Sequence, residues 1–228
     1  MGSLNWRYET KFTLILEDEL RFISWIVDTP DFFQAHATRY VNSVYLDSSD
    51  YACAIANLDG TGWRSKFRIR WYGQRLDPDS ASFEAKFRRG RLGTKQTHPL
   101  TLSGVDPLSI QQSVLEKILR DVTLSGRVMV PVENLQPMIY VGYEREYYQG
   151  AAGIRITLDR ALNFRDVTDD RGSANDEIFQ DNRLILEFKF APEQKDQVAE
   201  FMSDLPFSAT RNSKYILGLS RLGKAVYF

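Results

Sequence analysis

The sequence predicts an α+β fold in which an antiparallel β-barrel encloses a charged tunnel and helices pack on its outside. Segments that place charged residues on one parity and apolar residues on the other recur along the chain, whereas helical patterns are few. A closed barrel with a charged, water-filled interior explains this repetition, and its apolar outer faces then need helices to cover them. We expect one such domain over residues 1–228.

The first elements are a strand, a helix and a second strand. In "WRYETKFTL", Arg7, Glu9 and Lys11 alternate with aromatic residues, as in a strand with two unlike faces. The helix ends before Pro30, and its apolar stripe consists of Leu16, Leu20, Ile23 and Val27. The segment "YVNSVYLD" is the second strand.

The third strand lines up four cations. In "WRSKFRIRWYG", a period of two puts Arg64, Lys66, Arg68 and Arg70 on one face. Like charges on one face repel each other, so the arrangement costs stability unless carboxylates or a bound polyanion lie opposite. A polyanion bound in a narrow lumen would offset the repulsion between these cations.

The remaining elements continue the pattern. The strand "SFEAKFR" is followed by a helix that a capping box of Ser109 and Gln112 would start. Three more strands are "YVGYEREYY", "GIRITLDR" and "LILEFKF", which bring the count of strands to seven. Pro192 opens another helix, and "YILGLSRL" is predicted to be the last one.

The composition narrows the classes of partner. The chain has 29 basic and 30 acidic residues and a formal net charge of -1, so any strong positive field is local and a nucleic-acid partner is not expected. The single cysteine, Cys53, excludes an internal disulfide, and the isolated His36 and His98 do not form a metal motif. No apolar run reaches the roughly 20 residues of a membrane helix, and the N-terminus lacks the layout of a secretory signal, so we expect a cytoplasmic location.

The predicted lumen is suited to phosphate chemistry. Its lysines offer donors to phosphate oxygens, and its guanidinium groups can make bidentate contacts. Glu9, Glu84 and Glu187 would pair with these cations when the tunnel is empty and could present oxygen ligands to Mg²⁺ or Mn²⁺ bound to a triphosphate. Phosphoryl transfer needs little more than positioning and charge neutralisation, so no serine or cysteine nucleophile is required.

Several motifs occur in the order seen in one known family. "RYETKF", "VNSVYLD", "KFRIRWYG", "FEAKF", "REYY", "IRITLD", "ILEFKF" and "RNSKY" run from about Trp6 to Leu222. In this the chain resembles the VTC domain, the catalytic domain of vacuolar transporter chaperone polyphosphate polymerases, and looks like a compact bacterial-type member. That domain belongs to the CYTH-like superfamily of triphosphate tunnel metalloenzymes, so the resemblance implies the triphosphate tunnel fold.

The resemblance also implies a reaction, in which the terminal phosphoryl group of ATP is transferred to a growing inorganic polyphosphate chain. The catalytic side chains that position the phosphates would be Lys11, Arg68, Arg70, Lys86 and Lys214. Further phosphate-binding side chains would be Lys66, Lys95, Arg145, Arg155, Lys189 and Arg211. Glu187 would carry Mn²⁺ or Mg²⁺, and Glu9 and Glu84 are the additional candidates for the metal.

Two departures from the family pattern bear on the reaction. Arg7 stands where hydrolytic members carry the leading glutamate of a Glu-x-Glu-x-Lys pattern, and its loss removes a second metal ligand or a base that activates water. Arg211 stands where we expect a second lysine. A tripolyphosphate or nucleoside triphosphate hydrolase and a non-catalytic polyphosphate-binding module are the alternatives, and the sequence leaves open whether a membrane partner receives a product.

Some side chains have two interpretations. Trp63, Trp71, Tyr143, Tyr147 and Tyr148 could stack on a nucleotide base, although packing in the core or outer wall is the commoner fate of aromatic residues. Asp159 is expected to pair with an arginine rather than bind metal. Arg64 and Arg88 lie near strand ends and are left outside the predicted site.

Overall fold

The described residues form one antiparallel sheet of nine strands with five α-helices. The computed structural model describes residues 5–76, 78–130, 134–150, 153–168 and 178–224. The strands are β1 (Arg7–Leu14), β2 (Phe32–Asp47), β3 (Trp63–Tyr72), β4 (Ser80–Arg89), β5 (Leu92–Thr101), β6 (Gln136–Gly150), β7 (Arg155–Asp166), β8 (Phe179–Asp181) and β9 (Leu184–Phe190). The helices are α1 (Glu19–Val27), α2 (Ala52–Leu58), α3 (Gln112–Leu124), α4 (Lys195–Ser203) and α5 (Lys214–Arg221). The predicted fold class is therefore confirmed.

The sheet closes on itself into a ring. The strand order is β6-β2-β3-β4-β5-β1-β9-β7-β8, and a further pairing of β6 with β7 joins the two sides. Eight strands thus surround a lumen, while the short β8 lies beside β7 outside the closed circuit. Because side chains alternate along each strand, the charged parity of every strand can face this lumen.

Two apolar layers cover the outside of the ring. One contains Phe67, Phe83 and Phe87 from β3 and β4, packed with Leu115 of α3. The other contains residues of β1, β7 and β9 packed with Phe22 and other residues of α1 and α4. The helices thus shield the apolar parity of the strands from water, as the sequence predicts.

Helix α5 packs against the inner side of the ring. Its Tyr215 and Leu219 share a core cluster with Val141, Tyr143 and other residues from the inward-facing parity of β6. Gly218 permits the close approach, because a Cβ atom there would lie 2.5 Å from Ile139 Cδ1. The segment before α5 is tied to β1, where the amide of Thr210 donates to the carbonyl of Lys11 at 2.7 Å. This C-terminal part of the chain therefore forms one wall of the lumen.

The first helix is correctly predicted, but its buried face is not. The structure has a 3-10 turn at Leu16–Asp18 followed by α1, and Phe22 and Ile26 are the residues it buries. The exposed fraction of Leu20 is 75% and that of Val27 is 73%, so the predicted stripe of Leu16, Leu20, Ile23 and Val27 faces away from the core. The larger side chains of Phe22 and Trp25 pack against Tyr148 and Phe188 instead, because they fill more space under the helix.

Other local predictions also change. The capping box of Ser109 and Gln112 is wrong: Gln111 precedes the first turn of α3, and the Ser109 hydroxyl donates to Asp106 at 2.9 Å. Strands β5 and β8 and helix α2 were not predicted. Within the described residues, none of the helices has both the length and the apolar character needed to span a bilayer.

Candidate functional site

The lumen is a cavity of about 1280 Å³ with a strongly cationic wall. The predicted site residues that line it are Lys11, Lys66, Arg68, Arg70, Lys86, Lys95, Arg145, Arg155, Lys189, Arg211, Lys214, Glu9 and Glu187. Of the lining residues that the structure describes, Glu9 and Glu187 are the carboxylates. Such an excess of positive charge in a partly buried space indicates a site for a polyanion.

Glu9 and Glu187 lie on neighbouring strands. In the β1–β9 register Glu9 is opposite Lys189 and Lys11 is opposite Glu187, so the carboxylates are diagonal neighbours. Glu9 pairs with Lys86, and the Lys189 Nζ atom lies 2.9 Å from Glu187 Oε2. Burial opposes ionisation of Glu187, but Lys189 and Lys11 hold its pKa well below the ordinary value. Burial opposes ionisation of Glu9 as well, but Lys86 lowers its pKa, so the charged form of both carboxylates is favoured.

These two carboxylates also fit a divalent cation. Glu9 Oε1 and Glu187 Oε1 are buried and accept no hydrogen bond from the described residues. Charged oxygens with unused lone pairs are suitable ligands for Mg²⁺ or Mn²⁺, which keep several water or phosphate ligands. Within the described part of the chain, no group of three or more His, Cys, Asp or Glu side chains is placed to hold a metal ion. A cation here would thus need oxygens from a phosphate ligand or water.

Glu84 has a different environment from the other two candidates for the metal. It does not line the cavity, and both of its carboxylate oxygens are already used. Arg68 Nε donates to Oε2 at 2.8 Å and Lys95 Nζ donates to Oε1 at 2.7 Å. Arg70 lies within ion-pair distance as well, 3.7 Å from Oε2. Glu84 therefore orients three cations of the wall, although it does not line the cavity itself.

Asp159 pairs with cations, as expected. Its two oxygens accept hydrogen bonds from Arg145, at 2.5 and 2.7 Å, and Lys214 Nζ lies 2.5 Å from Oδ2. Burial alone would raise the pKa of Asp159, but Arg145 and Lys214 hold it far below the ordinary range. The pairing fixes the positions of Arg145 and Lys214 in the wall.

In one part of the wall, the described cations have no carboxylate partner. Across the sheet Arg64 is directly opposite Arg88, and Lys66 is directly opposite Lys86. Among the described residues, no carboxylate lies within ion-pair distance of Arg64, Lys66, Arg88 or Arg211. We call these four side chains the unpaired cation group.

The electrostatics of the unpaired cation group are unfavourable. Burial together with Lys11 and Lys86 lowers the pKa of Lys66 well below its ordinary value of 10.5. Burial together with Arg88 and Arg211 lowers the pKa of Arg64 in the same way. An anion placed among these side chains would relieve both effects, because it stabilises their charged forms.

The structure adds residues that the sequence analysis left out. Arg64 and Arg88 line the cavity, although their places near strand ends had suggested solvent. Arg7, Arg39 and Tyr45 line it too. The parity of Arg7 and Tyr45 on their strands could have revealed this, whereas Arg39 lies in a part of β2 that was not predicted as a strand.

Tyr45 is placed among cations. Its hydroxyl accepts a hydrogen bond from Arg68 Nη1 at 3.0 Å, and its ring stacks on that of Tyr215 in α5. Burial favours the neutral phenol, but Arg68 and Arg70 outweigh burial and lower the pKa of Tyr45. Tyr45 thus contacts both Arg68 in the cationic wall and Tyr215 in α5.

A family model and known structures agree with this architecture. The model of the VTC domain matches residues 7–222. No curated protein sequence matches the chain. Among solved structures, a candidate adenylyl cyclase from Hippeastrum with a dominant triphosphatase activity is 17% identical with a TM-score of 0.53, and the alignment covers 94% of this chain and 95% of that one.

A second solved structure gives the same picture. A candidate adenylate cyclase from Vibrio parahaemolyticus is 11% identical with a TM-score of 0.50, over 94% of this chain and 98% of that one. At such low identity these structures establish the shared fold of the ring and its lumen. The chemistry has to be argued from the side chains of this chain.

Proposed function

The chain belongs to the VTC domain family, and on this premise we propose that it is a metal-dependent polyphosphate polymerase that transfers the terminal phosphoryl group of ATP to a growing inorganic polyphosphate chain. The unpaired cation group carries this proposal. Arg64, Lys66, Arg88 and Arg211 repel one another in a partly buried wall, so they favour a bound polyanion with several charges. A growing phosphate chain has such charges along its whole length.

The lumen offers two zones of different charge. Near Glu9 and Glu187, the two carboxylates offset part of the positive charge of Arg7, Lys11, Lys86 and Lys189, which suits a triphosphate that carries its own divalent cation. Among the described residues, no carboxylate lies within ion-pair distance of the four side chains of the unpaired cation group, which suits phosphates without a metal. We assign the ATP triphosphate to the first zone and the acceptor chain to the second.

The cations position the reacting groups. Lys11 and Lys86 lie beside Glu187 and Glu9, where they can contact a triphosphate bound to the same zone. Arg68 and Arg70 are held by Glu84, and Lys214 by Asp159, so these donors are already oriented before a phosphate binds. The remaining predicted cations extend the binding surface; they are Lys66, Lys95, Arg145, Arg155, Lys189 and Arg211.

Glu9 and Glu187 would hold Mn²⁺ or Mg²⁺, with the other ligands supplied by phosphate oxygens and water. A divalent cation in this place supplies neutralisation of the charge that develops on the phosphate oxygens. The acceptor is a phosphate oxygen that is already ionised, so the transfer requires no base and no covalent intermediate with the protein. Hydrogen bonds from lysine and arginine side chains are sufficient to bind and orient the phosphate groups.

The position of Arg7 favours transfer over hydrolysis. Its Nε atom lies 3.6 Å from Glu9 Oε1, so a guanidinium lies beside Glu9 at the sequence position where hydrolytic members of the resembling family carry the leading glutamate. A cation there attracts a phosphate acceptor and does not deprotonate a water molecule. This observation supports the polymerase over the triphosphatase of the same fold.

Product analysis tests the proposal. Purified protein is incubated with ATP and Mn²⁺, polyphosphate is resolved on a gel, and ADP and free phosphate are measured in parallel. We expect long chains and an equivalent amount of ADP. Free phosphate without polymer would instead identify a hydrolase, and the absence of both products together with retained binding of phosphate chains would identify a binding module.

A further inference from the structure

A group of aromatic and polar side chains lies where β2, β3 and β6 border the cavity. It consists of His36, Arg39, Tyr72, Tyr147 and Gln149, all of which line the cavity, and we call it the aromatic mouth. The His36 and Tyr147 rings meet edge to face with centroids 5.6 Å apart. The proximity of Tyr72 contributes to the raised pKa of Tyr147, for which burial is the main cause.

The structure separates Tyr147 from three of the other aromatic residues that could bind a base. Trp71 is buried in the outer core, and Trp63 stacks on Phe87. Tyr143 is 1% exposed, and its hydroxyl accepts a hydrogen bond from Arg70. Tyr147 is half-buried, borders the cavity, and makes no hydrogen bond through its hydroxyl with the described residues. Tyr72 and Tyr148 border the cavity as well, but among these three tyrosines Tyr147 is the one whose ring the Arg39 and Arg145 guanidinium groups approach.

The register fixes the distance from Tyr147 to the carboxylates. Tyr147 of β6 is opposite Thr157 of β7, and Thr157 is opposite Glu187 of β9. Two strand spacings of about 4.8 Å give a separation of about 10 Å along this row. An extended nucleoside triphosphate spans a similar distance between its terminal phosphates and its base.

The side chains of the aromatic mouth are of the types that bind a heteroaromatic ring. The Arg39 guanidinium carbon lies 5.8 Å from the centroid of the Tyr147 ring, and that of Arg145 lies 5.9 Å from it. Aromatic and guanidinium planes stack on nucleobases, and His36 and Gln149 add hydrogen-bonding groups at the edge. Inorganic polyphosphate has no planar group that could use these contacts.

We propose that the aromatic mouth binds the nucleobase of the phosphoryl donor, with Tyr147 as the stacking platform. This inference rests on the proposed use of ATP and assigns its base to a place at the edge of the phosphate-binding wall, next to Arg145. The phosphates of the donor lie toward Glu187, and the base lies on the cavity side of the paired strands β2 and β6. Tyr147 is thus a specificity residue that distinguishes a nucleotide from tripolyphosphate.

A substitution at Tyr147 can be separated from damage to the phosphate site. Arg145 is its cationic neighbour, but Asp159 holds Arg145 through two hydrogen bonds and keeps it in place when the Tyr147 ring is absent. The variant Tyr147→Leu removes the aromatic face. The matched control Tyr147→Phe keeps that face and removes a hydroxyl that makes no hydrogen bond with the described residues.

The experiment compares two ligands on three proteins. Dissociation constants for ATP and for tripolyphosphate are measured by calorimetry with wild type, Tyr147→Leu and Tyr147→Phe, all in the same Mg²⁺ buffer. We expect Tyr147→Leu to weaken ATP binding about tenfold, Tyr147→Phe to stay within about twofold of wild type, and tripolyphosphate binding to be the same in all three.

The outcomes distinguish this inference from the proposed function. Unchanged ATP affinity in Tyr147→Leu, or equal weakening of ATP and tripolyphosphate, would overturn the base site while the polymerase proposal stands. If wild type binds tripolyphosphate but not ATP, both the ATP-dependent polymerase and the base site are overturned. If wild type binds both ligands but makes no polymer, the polymerase proposal fails and the base site is still judged by the variants.

Discussion

The ammonium group of Lys66 donates a hydrogen bond of 2.7 Å to the hydroxyl of Ser213, the residue that precedes α5. The same hydroxyl accepts from the amide of Ile216, 3.4 Å away, and so caps the helix. A cation of the proposed phosphate site is therefore bound to the start of the inner helix. Lys66 is therefore expected to affect both the stability of the fold and the binding of a ligand.

Replacing Lys66 with methionine should stabilise the protein and weaken phosphate binding. The variant keeps a side chain of similar length but removes a buried charge that repels Lys11 and Lys86, and this gain should outweigh the lost hydrogen bond to Ser213. We expect a gain of about 1 kcal/mol, or about 2–4 °C in Tm, and about tenfold weaker binding of tripolyphosphate. Thermal unfolding and calorimetry measure the two effects, with the exposed Lys117→Met as control. Loss of stability in Lys66→Met alone would contradict the prediction.

The stability gain should depend on pH in a defined direction. The pKa of Lys66 is lower in the folded protein than its ordinary value of 10.5, so protonation of the unfolded chain opposes folding. This penalty is full below the folded pKa and disappears as the pH rises to 10.5. The difference in stability between Lys66→Met and wild type should therefore shrink toward alkaline pH, which urea unfolding at several pH values can measure.

Phosphate binding at alkaline pH should take up protons. A bound anion favours the charged form of Lys66 and raises its lowered pKa, so the side chain gains a proton when the ligand arrives. Calorimetry of tripolyphosphate binding at pH about 9, in two buffers with different ionisation enthalpies, measures this uptake. Lys66→Met should take up fewer protons than Lys117→Met. Binding without proton exchange in wild type would show that Lys66 is already charged in the empty cavity.

The variant Glu187→Gln should lose turnover but keep part of its phosphate binding. The amide has the size of the carboxylate but is a poorer ligand for Mn²⁺, so we expect the rate to fall at least about 100-fold. Binding of tripolyphosphate in the presence of EDTA should persist, since the cations of the wall are retained. The exposed Glu193→Gln provides the matched control. Full activity of Glu187→Gln would remove Glu187 from the proposed metal site.

The two faces of α1 should respond very differently to substitution. Phe22 is 0% exposed and packs against Trp25 and Tyr148, so Phe22→Ala should cost about 3–5 kcal/mol of unfolding free energy. Leu20 is 75% exposed, so Leu20→Lys should change stability by no more than about 0.5 kcal/mol. Chemical denaturation of both variants tests this assignment, and a large loss in Leu20→Lys would restore the face that the sequence predicted.

The same helix shows where sequence reasoning reaches its limit. Alternation identified seven strands and the inward parity of Lys66, Arg68 and Arg70, because a charged lumen leaves a period of two in every wall strand. In α1 two apolar stripes coexist, and both satisfy helical spacing. The choice between them depends on the size of the space under the helix, which strands distant in sequence create.

Strand β5 and the environment of Glu84 could not be predicted from the sequence, for related reasons. Strand β5 contains Gly93 and Pro99 and presents polar side chains on both parities, so its alternation is weak. Glu84 resembles Glu9 in the sequence, since each is followed two residues later by a lysine. Whether such a carboxylate faces the cavity or lies behind Arg68 depends on cross-strand neighbours that local spacing does not specify.

The junction of β1 and β5 gives the ring a preferred place to open. Two residue pairs form this junction, Arg7 with Gly93 and Tyr8 with Leu92, whereas β1 and β9 share seven. Glu9 of β1 reaches Lys86 of β4 across it, so an ion pair reinforces the few backbone bonds. The β1–β5 junction is thus the weak contact that closes the ring. A ligand that binds Lys86 and Glu9 changes the stability of this junction. Amide hydrogen exchange should be fastest along this line, and it should be where the occupied and empty proteins differ most.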